Sequence, residues 1–126
     1  MALDIKVIKK RDYVYSVELK GSLDTETHKE LESELKEIID SKTKAVVLDM
    51  EGLEYISSAG IGVVVWAKKA FKNINTSFSM VNLKPQIKKV FDAMKILPMI
   101  DVFSDMPEAD KYIDQIINEE IGKQNT

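Results

Sequence analysis

Glu54-Tyr55-Ile56-Ser57-Ser58-Ala59-Gly60-Ile61-Gly62-Val63-Val64-Val65 joins two segments of different periodicity. Upstream, Ala45-Val46-Val47-Leu48-Asp49-Met50 is a short apolar run, the pattern of a buried strand in a parallel sheet. Downstream, Ile61, Val64, Val65, Ala67 and Phe71 recur at helical spacing as far as Asn73. Two adjacent serines therefore stand where a strand hands over to a helix. The first backbone N–H groups of a helix are unpaired, and its dipole favours negative charge at that end. A phosphate on either hydroxyl would meet a ready-made anion site. The plainer role for Ser57 or Ser58 is N-cap, because serine is a preferred capping residue. Gly60 and Gly62 keep the first turn slim, which lets another surface approach the serines.

Working outward, Leu3 to Ile8 alternates weakly and reads as a first strand. Tyr13 to Lys20 puts Tyr13, Tyr15, Val17 and Leu19 on one face and polar residues opposite. The short polar connection makes these two strands antiparallel, and Gly21-Ser22 is expected to end the second. A helix follows, capped by Asp24 or Thr25, or in a later register by Thr27 with Glu30. Its apolar stripe is Leu31, Leu35, Ile38 and Ile39, and its glutamates form a solvated face. Ser77 to Val81 is another strand. Pro85 suits the first turn of the next helix, with Ile87, Val90, Phe91 and Met94 inward. Met99 to Phe103 reads as a short edge strand. A last helix begins near Pro107 and carries Ala109, Tyr112, Ile113, Ile116, Ile117 and Ile121. Trp66 is expected to pack between helices, and His28, the single histidine, to be a surface residue.

Bulk properties narrow the function classes. With 44% hydrophobic and 31% charged residues, the chain has the composition of a globular protein. A net charge of −3 argues against bulk nucleic-acid binding. No apolar run reaches the roughly 18 residues that a bilayer span needs, so no direct membrane insertion is expected. Met1 to Lys6 lacks the basic-then-apolar order of a secretory signal, and there are no cysteines for disulfides. The expectation is one cytoplasmic domain over residues 1–126, with a core from about 3 to 117 and a tail, 122–126, that frays.

Catalytic signatures are missing. The serine pair lacks a Gly-x-Ser-x-Gly elbow, Gly60-x-Gly62 lacks the third glycine of a dinucleotide loop, and no Gly-Lys-Ser/Thr phosphate loop occurs. Asp49, Glu51 and Glu54 could suggest a carboxylate cluster, but no matching ligand set accompanies them. A receiver domain is excluded because Leu3 to Arg11 supplies no acidic pair for magnesium. No enzyme activity, cofactor or metal is expected.

Val47-Leu48-Asp49-Met50 and Tyr55 to Val63, together with Gly21-Ser22-Leu23-Asp24 and Val81-Asn82-Leu83-Lys84-Pro85-Gln86-Ile87-Lys88-Lys89-Val90-Phe91, resemble the STAS domains, in particular the bacterial anti-sigma-factor antagonists. The likeness runs from about Ile5 to Ile117. It implies an α/β fold: a mixed sheet of four to five strands with an antiparallel edge, and about four helices packed mainly on one face. It also implies a mechanism. The unmodified protein binds an anti-sigma factor that is itself a serine kinase and so releases the sigma factor. The kinase phosphorylates a serine at the helix start, which switches binding off, and a serine phosphatase restores the binding form.

Matched to the family motif, the acceptor is Ser58, with Ser57 as the alternative, and the partner-binding rim comprises Asp24, Ser57, Ser58, Ala59, Gly60, Ile61 and Gly62. At Ser57 the sequence departs from the commonest antagonist pattern, in which Asp is frequent. Asp24 either orients the site or caps its own helix. Other roles for such a domain are a STAS subunit of a transporter complex, a subunit of a stress-sensing scaffold, and a nucleotide- or small-ligand-binding domain.

Overall fold

The computed structural model describes residues 2–124. Strands β1 (Leu3–Arg11) and β2 (Val14–Leu23) form an antiparallel hairpin, with Val7 opposite Val17. β2 then runs parallel to β3 (Ala45–Ile56), β3 to β4 (Ser77–Val81), and β4 to β5 (Asp101–Phe103), so the sheet order is β1-β2-β3-β4-β5. Helices α1 (His28–Glu37), α2 (Ser58–Asn73) and α3 (Pro85–Ala93) make the three crossovers, and a 3-10 turn, Leu97–Met99, leads from α3 into β5. Helix α4 (Met106–Gln124) closes the order. The mixed sheet with its single antiparallel edge matches the expected architecture.

Three strands run further than their sequence suggests, and β1 continues past Ile8 to Arg11. β2 does not stop at Gly21-Ser22 but shifts register there and continues to Leu23. Gly21 sits at φ +113°, and a Cβ on it would lie 2.2 Å from the Ala2 carbonyl oxygen, so this glycine bends the strand instead of ending it. β3 continues beyond Met50 to Ile56 because β2 extends alongside it, with a second irregularity where Lys20 meets Gly52.

The main core lies on the face covered by α1, α2 and α3. Val17, Leu19, Leu48, Met50, Phe78 and Met80 of the sheet meet Leu31 and Leu35, Ile61, Val64 and Phe71, and Ile87 and Phe91. The Phe71 and Phe78 rings stack at 5.5 Å, tying α2 to β4. Trp66 is partly buried against this core, as expected, with the Lys36 ammonium 5.8 Å from its ring centre.

α4 lies on the opposite face. There Val14, Ala45, Val47 and Val81 form a second cluster with Ala109 and Ile113. Lys10–Asp110, Arg11–Asp114 (2.7 Å) and Lys44–Glu120 (2.9 Å) ion pairs flank the contact. This second cover changes the reading of β2. Val14 and Ser16 are buried, whereas Tyr13 leaves the strand, turns at φ +67° and is 44% exposed. α4 is continuous to Gln124; of the tail expected to fray (122–126), residues 125 and 126 lie outside the described residues.

Candidate functional site

The parallel strands β2, β3 and β4 each lead into a helix, so the N-termini of α1, α2 and α3 gather at one end of the sheet. The handover from β3 to α2 is the best-defined part of that end. Ser57 is extended (φ −98°, ψ 174°) and serves as the N-cap of α2. Its hydroxyl accepts a hydrogen bond from Gly60 N–H at 3.3 Å, and its carbonyl accepts the first helical bond from Ile61 N–H at 2.9 Å. Its own N–H donates to the Leu23 carbonyl at 2.9 Å, which pins the helix start to the end of β2. Serine here fills a cap that aspartate fills equally well, so the departure from the family pattern leaves the local fold intact.

Ser58 is the first helical residue, and its side chain is exposed. Among the described residues its hydroxyl takes part in no hydrogen bond. The two serines are thus physically distinct: one hydroxyl is held in the cap, the other faces outward at the positive end of the helix dipole.

Asp24 follows Leu23 and therefore lies beside this junction. Its Oδ1 accepts from the N–H groups of Glu26 (3.0 Å) and Thr27 (3.1 Å) and from the Thr27 hydroxyl (3.1 Å). Desolvation pushes the carboxyl pKa up, but the bonds from the Thr27 side chain, Thr27 N–H and Glu26 N–H outweigh it and hold the pKa below the ordinary 3.8. Asp24 thereby orders the turn that leads into α1. Of the expected registers the later one is observed, with Thr27 at the N-cap position of α1, but its side chain makes no cap hydrogen bond and the Thr27–Glu30 capping box does not form.

Thr27 was not among the candidate site residues, yet it builds this loop. Its buried hydroxyl shares its one proton between the Ser22 carbonyl at 2.7 Å and Asp24 Oδ1, and its oxygen accepts from Asp24 N–H at 2.9 Å. The Asp24-x-x-Thr27 spacing directly after a strand is the signal that could have revealed it. His28 is not a plain surface residue. It is half-buried, and its Nδ1 donates toward the carbonyls of Thr25 (2.9 Å) and Asp24 (3.2 Å).

The expected rim is only partly outward. Ser58 and Gly62 are exposed, and Asp24, Ser57 and Ala59 are half-buried. Gly60 and Ile61 point inward: Ile61 is 2% exposed, and Gly60 is buried against Leu23 and Ile56. The slimness of Gly60 therefore serves the packing of α2 on β2, not an approach from outside. A groove of about 310 Å³ opens beside the rim, lined by His28 and Glu32 of α1 and by Ala59, Gly62, Val63 and Trp66 of α2.

The carboxylates near β3 have their own partners. Asp49 accepts from Asn82 Nδ2 and from Glu51 N–H, both at 3.1 Å, while Glu54 pairs with Lys84. Among the described residues no group of three or more His, Asp or Glu is arranged to hold a metal, and no helix is long and apolar enough to cross a membrane.

A family model described as STAS domain matches residues 6–109. BtrV of Bordetella bronchiseptica, which is named for anti-sigma factor antagonism, is 33% identical over 84 residues, 67% of this chain and 72% of that protein. An anti-sigma-B factor antagonist of Staphylococcus aureus is 25% identical over 92 residues, 73% and 85% of the two chains. Among solved structures, an anti-sigma factor antagonist from Mycobacterium paratuberculosis superposes with a TM-score of 0.79 at 17% identity, covering 89% of this chain and 94% of its own. The antagonist SpoIIAA, in its unphosphorylated form, gives 0.69 at 17% identity over 90% and 97%. These structural likenesses speak to the fold alone.

Proposed function

This chain belongs to the STAS domain family, and from that premise we propose that it is an anti-sigma factor antagonist switched by phosphorylation of Ser58. The exposed hydroxyl of Ser58, at the first position of α2 beside a serine already committed to the cap, is the observation that carries the switch. The name of BtrV supports the antagonist role, and SpoIIAA exists in both a phosphorylated and an unphosphorylated form.

In this reading the unmodified rim around Ser58, Ala59, Gly62 and Asp24 binds an anti-sigma factor with serine kinase activity. The Ser58 oxygen then takes the γ-phosphoryl group of ATP held by the kinase. ADP leaves, and the hydroxyl proton passes to a base on the kinase. A serine phosphatase reverses the modification by hydrolysis. The chain contributes an acceptor and a docking surface and performs no catalytic step. The phosphate adds about −1.5 to −2 charge to the centre of the rim, which opposes rebinding through desolvation and repulsion. The α2 N-terminus favours that same charge, so the modified domain stays folded. A switch of this kind is local and needs no rearrangement of the sheet.

The test is to incubate the protein with ATP and each purified anti-sigma factor serine kinase of its source organism, then map the product by mass spectrometry. One phosphate on Ser58 is expected, with none in Ser58→Ala protein. A phosphate on Ser57 alone, or undiminished labelling of Ser58→Ala, overturns the assignment.

A further inference from the structure

Gly60 and Gly62 stand two positions apart on α2 and differ in what they meet. A Cβ on Gly60 would lie 2.7 Å from the Leu23 carbonyl oxygen, 2.8 Å from Leu23 Cγ and 2.9 Å from Ile56 Cγ1. The fold itself demands glycine there. A Cβ on Gly62 would meet nothing within 4 Å, and this residue has an ordinary negative-φ helical backbone. Neither packing nor conformation requires glycine at 62. Yet a glycine inside a helix is less stable than alanine, because it gives up more backbone freedom on folding. The isolated domain gains nothing in return.

The surroundings of Gly62 indicate what does. Ala59, Gly62, Val63 and Trp66 follow one another at i, i+3, i+4 and i+7 along the floor of the groove between α1 and α2. His28, held by its bonds to the carbonyls of Asp24 and Thr25, and Glu32 form the α1 wall. Gly62 is also four residues after Ser58, on the same side of the helix and about 6 Å along its axis. A partner touching the Ser58 hydroxyl is therefore within one turn of the bare backbone at Gly62.

We propose that the absence of a side chain at position 62 lets an apolar side chain of the anti-sigma partner seat in the α1–α2 groove while that partner covers Ser58. The occupant is apolar because the floor presents Ala59, Val63 and the Trp66 ring, and removing such a side chain from water against them is the favourable step. The inference rests on the antagonist reading and adds a second anchoring point to it, one that phosphorylation does not touch.

The proposal sets stability and binding in opposition. Gly62→Ala and Gly62→Gln should both fold, and the alanine variant should melt about 2–5 °C above wild type, from the helix propensity difference. Against the anti-sigma factor kinase that phosphorylates the wild type, titrated in its absence of ATP, Gly62→Gln should lose roughly tenfold or more in affinity and Gly62→Ala a smaller factor. A folded Gly62→Gln protein that binds within about twofold of wild type overturns the groove while leaving the antagonist reading in place. A wild-type chain that binds none of the purified anti-sigma factors removes both.

Discussion

The Ser57 hydroxyl accepts a hydrogen bond from the Gly60 N–H at 3.3 Å, and that one bond separates the roles of two neighbouring serines. Ser57 belongs to the helix start, where its oxygen satisfies a backbone donor that would otherwise be orphaned. Ser58 is left with an exposed hydroxyl. Ser57→Ala should therefore lower stability by about 0.5–2 kcal/mol, whereas Ser58→Ala should stay within about 0.5 kcal/mol of wild type. Urea unfolding of the two variants measures the difference. Equal losses would show that the cap does not distinguish them.

Ser58→Asp places a charge at the first position of α2, where the helix dipole tolerates it. Its thermal melt should match wild type. Its binding to the anti-sigma factor kinase should weaken by roughly 1–4 kcal/mol, as for an uncompensated charge at an interface. Calorimetric titration beside wild type reads the effect. Undiminished binding by a normally folded variant would remove the charge switch.

Gly60→Ala should destabilise by roughly 1–3 kcal/mol, the usual cost of overpacking. The nearest obstacle, at 2.7 Å, is a backbone oxygen of Leu23 that already accepts from Ser57, so it has no easy way to move. Denaturant unfolding checks the sign. A stabilised Gly60→Ala protein would mean that α2 rests more loosely on β2 than its geometry implies.

Asp24 has a depressed pKa, so its contribution to stability is present above the unfolded value and lost as pH falls through the lower folded value. Asp24→Asn should accordingly be less stable than wild type at neutral pH, with the gap closing below about pH 4. Urea midpoints recorded from pH 7 downward test this. A gap independent of pH would assign the loss to geometry and not to charge.

Ile113 is 2% exposed in the cluster under α4. Ile113→Ala should cost about 2–5 kcal/mol. Because α4 lies across the sheet from α2, binding of the kinase to the folded fraction should be unchanged. A variant that folds normally but no longer binds would bring α4 into the partner surface.

Much of this protein is written in local patterns. The apolar run Ala45 to Met50, the helical spacing from Ile61 to Phe71 and the serines between them specify a strand, a helix and the place where they meet. Such signals are legible because burial on one face imposes a period of two on a strand and 3.6 on a helix. Pro85, at the first position of α3, is equally local, since its missing N–H is no loss there.

Other features were decided only by what lies across space. Tyr13 and Val14 could not be sorted by alternation, because burial of Val14 depends on Ala109 and Ile113, nearly a hundred residues later, covering the second face. Gly21 has the look of a strand terminator in sequence, yet the approach of the Ala2 carbonyl makes it a bend within one. Ser57 and Ser58 are chemically identical, and the extended backbone of Ser57, fixed by its N–H bond to Leu23 at the end of β2, makes it the cap. Gly60 and Gly62 are likewise the same letter: one faces Leu23 and Ile56, the other faces solvent. A residue's type fixes which contacts it can make, but only the packed fold fixes which neighbour arrives to make them.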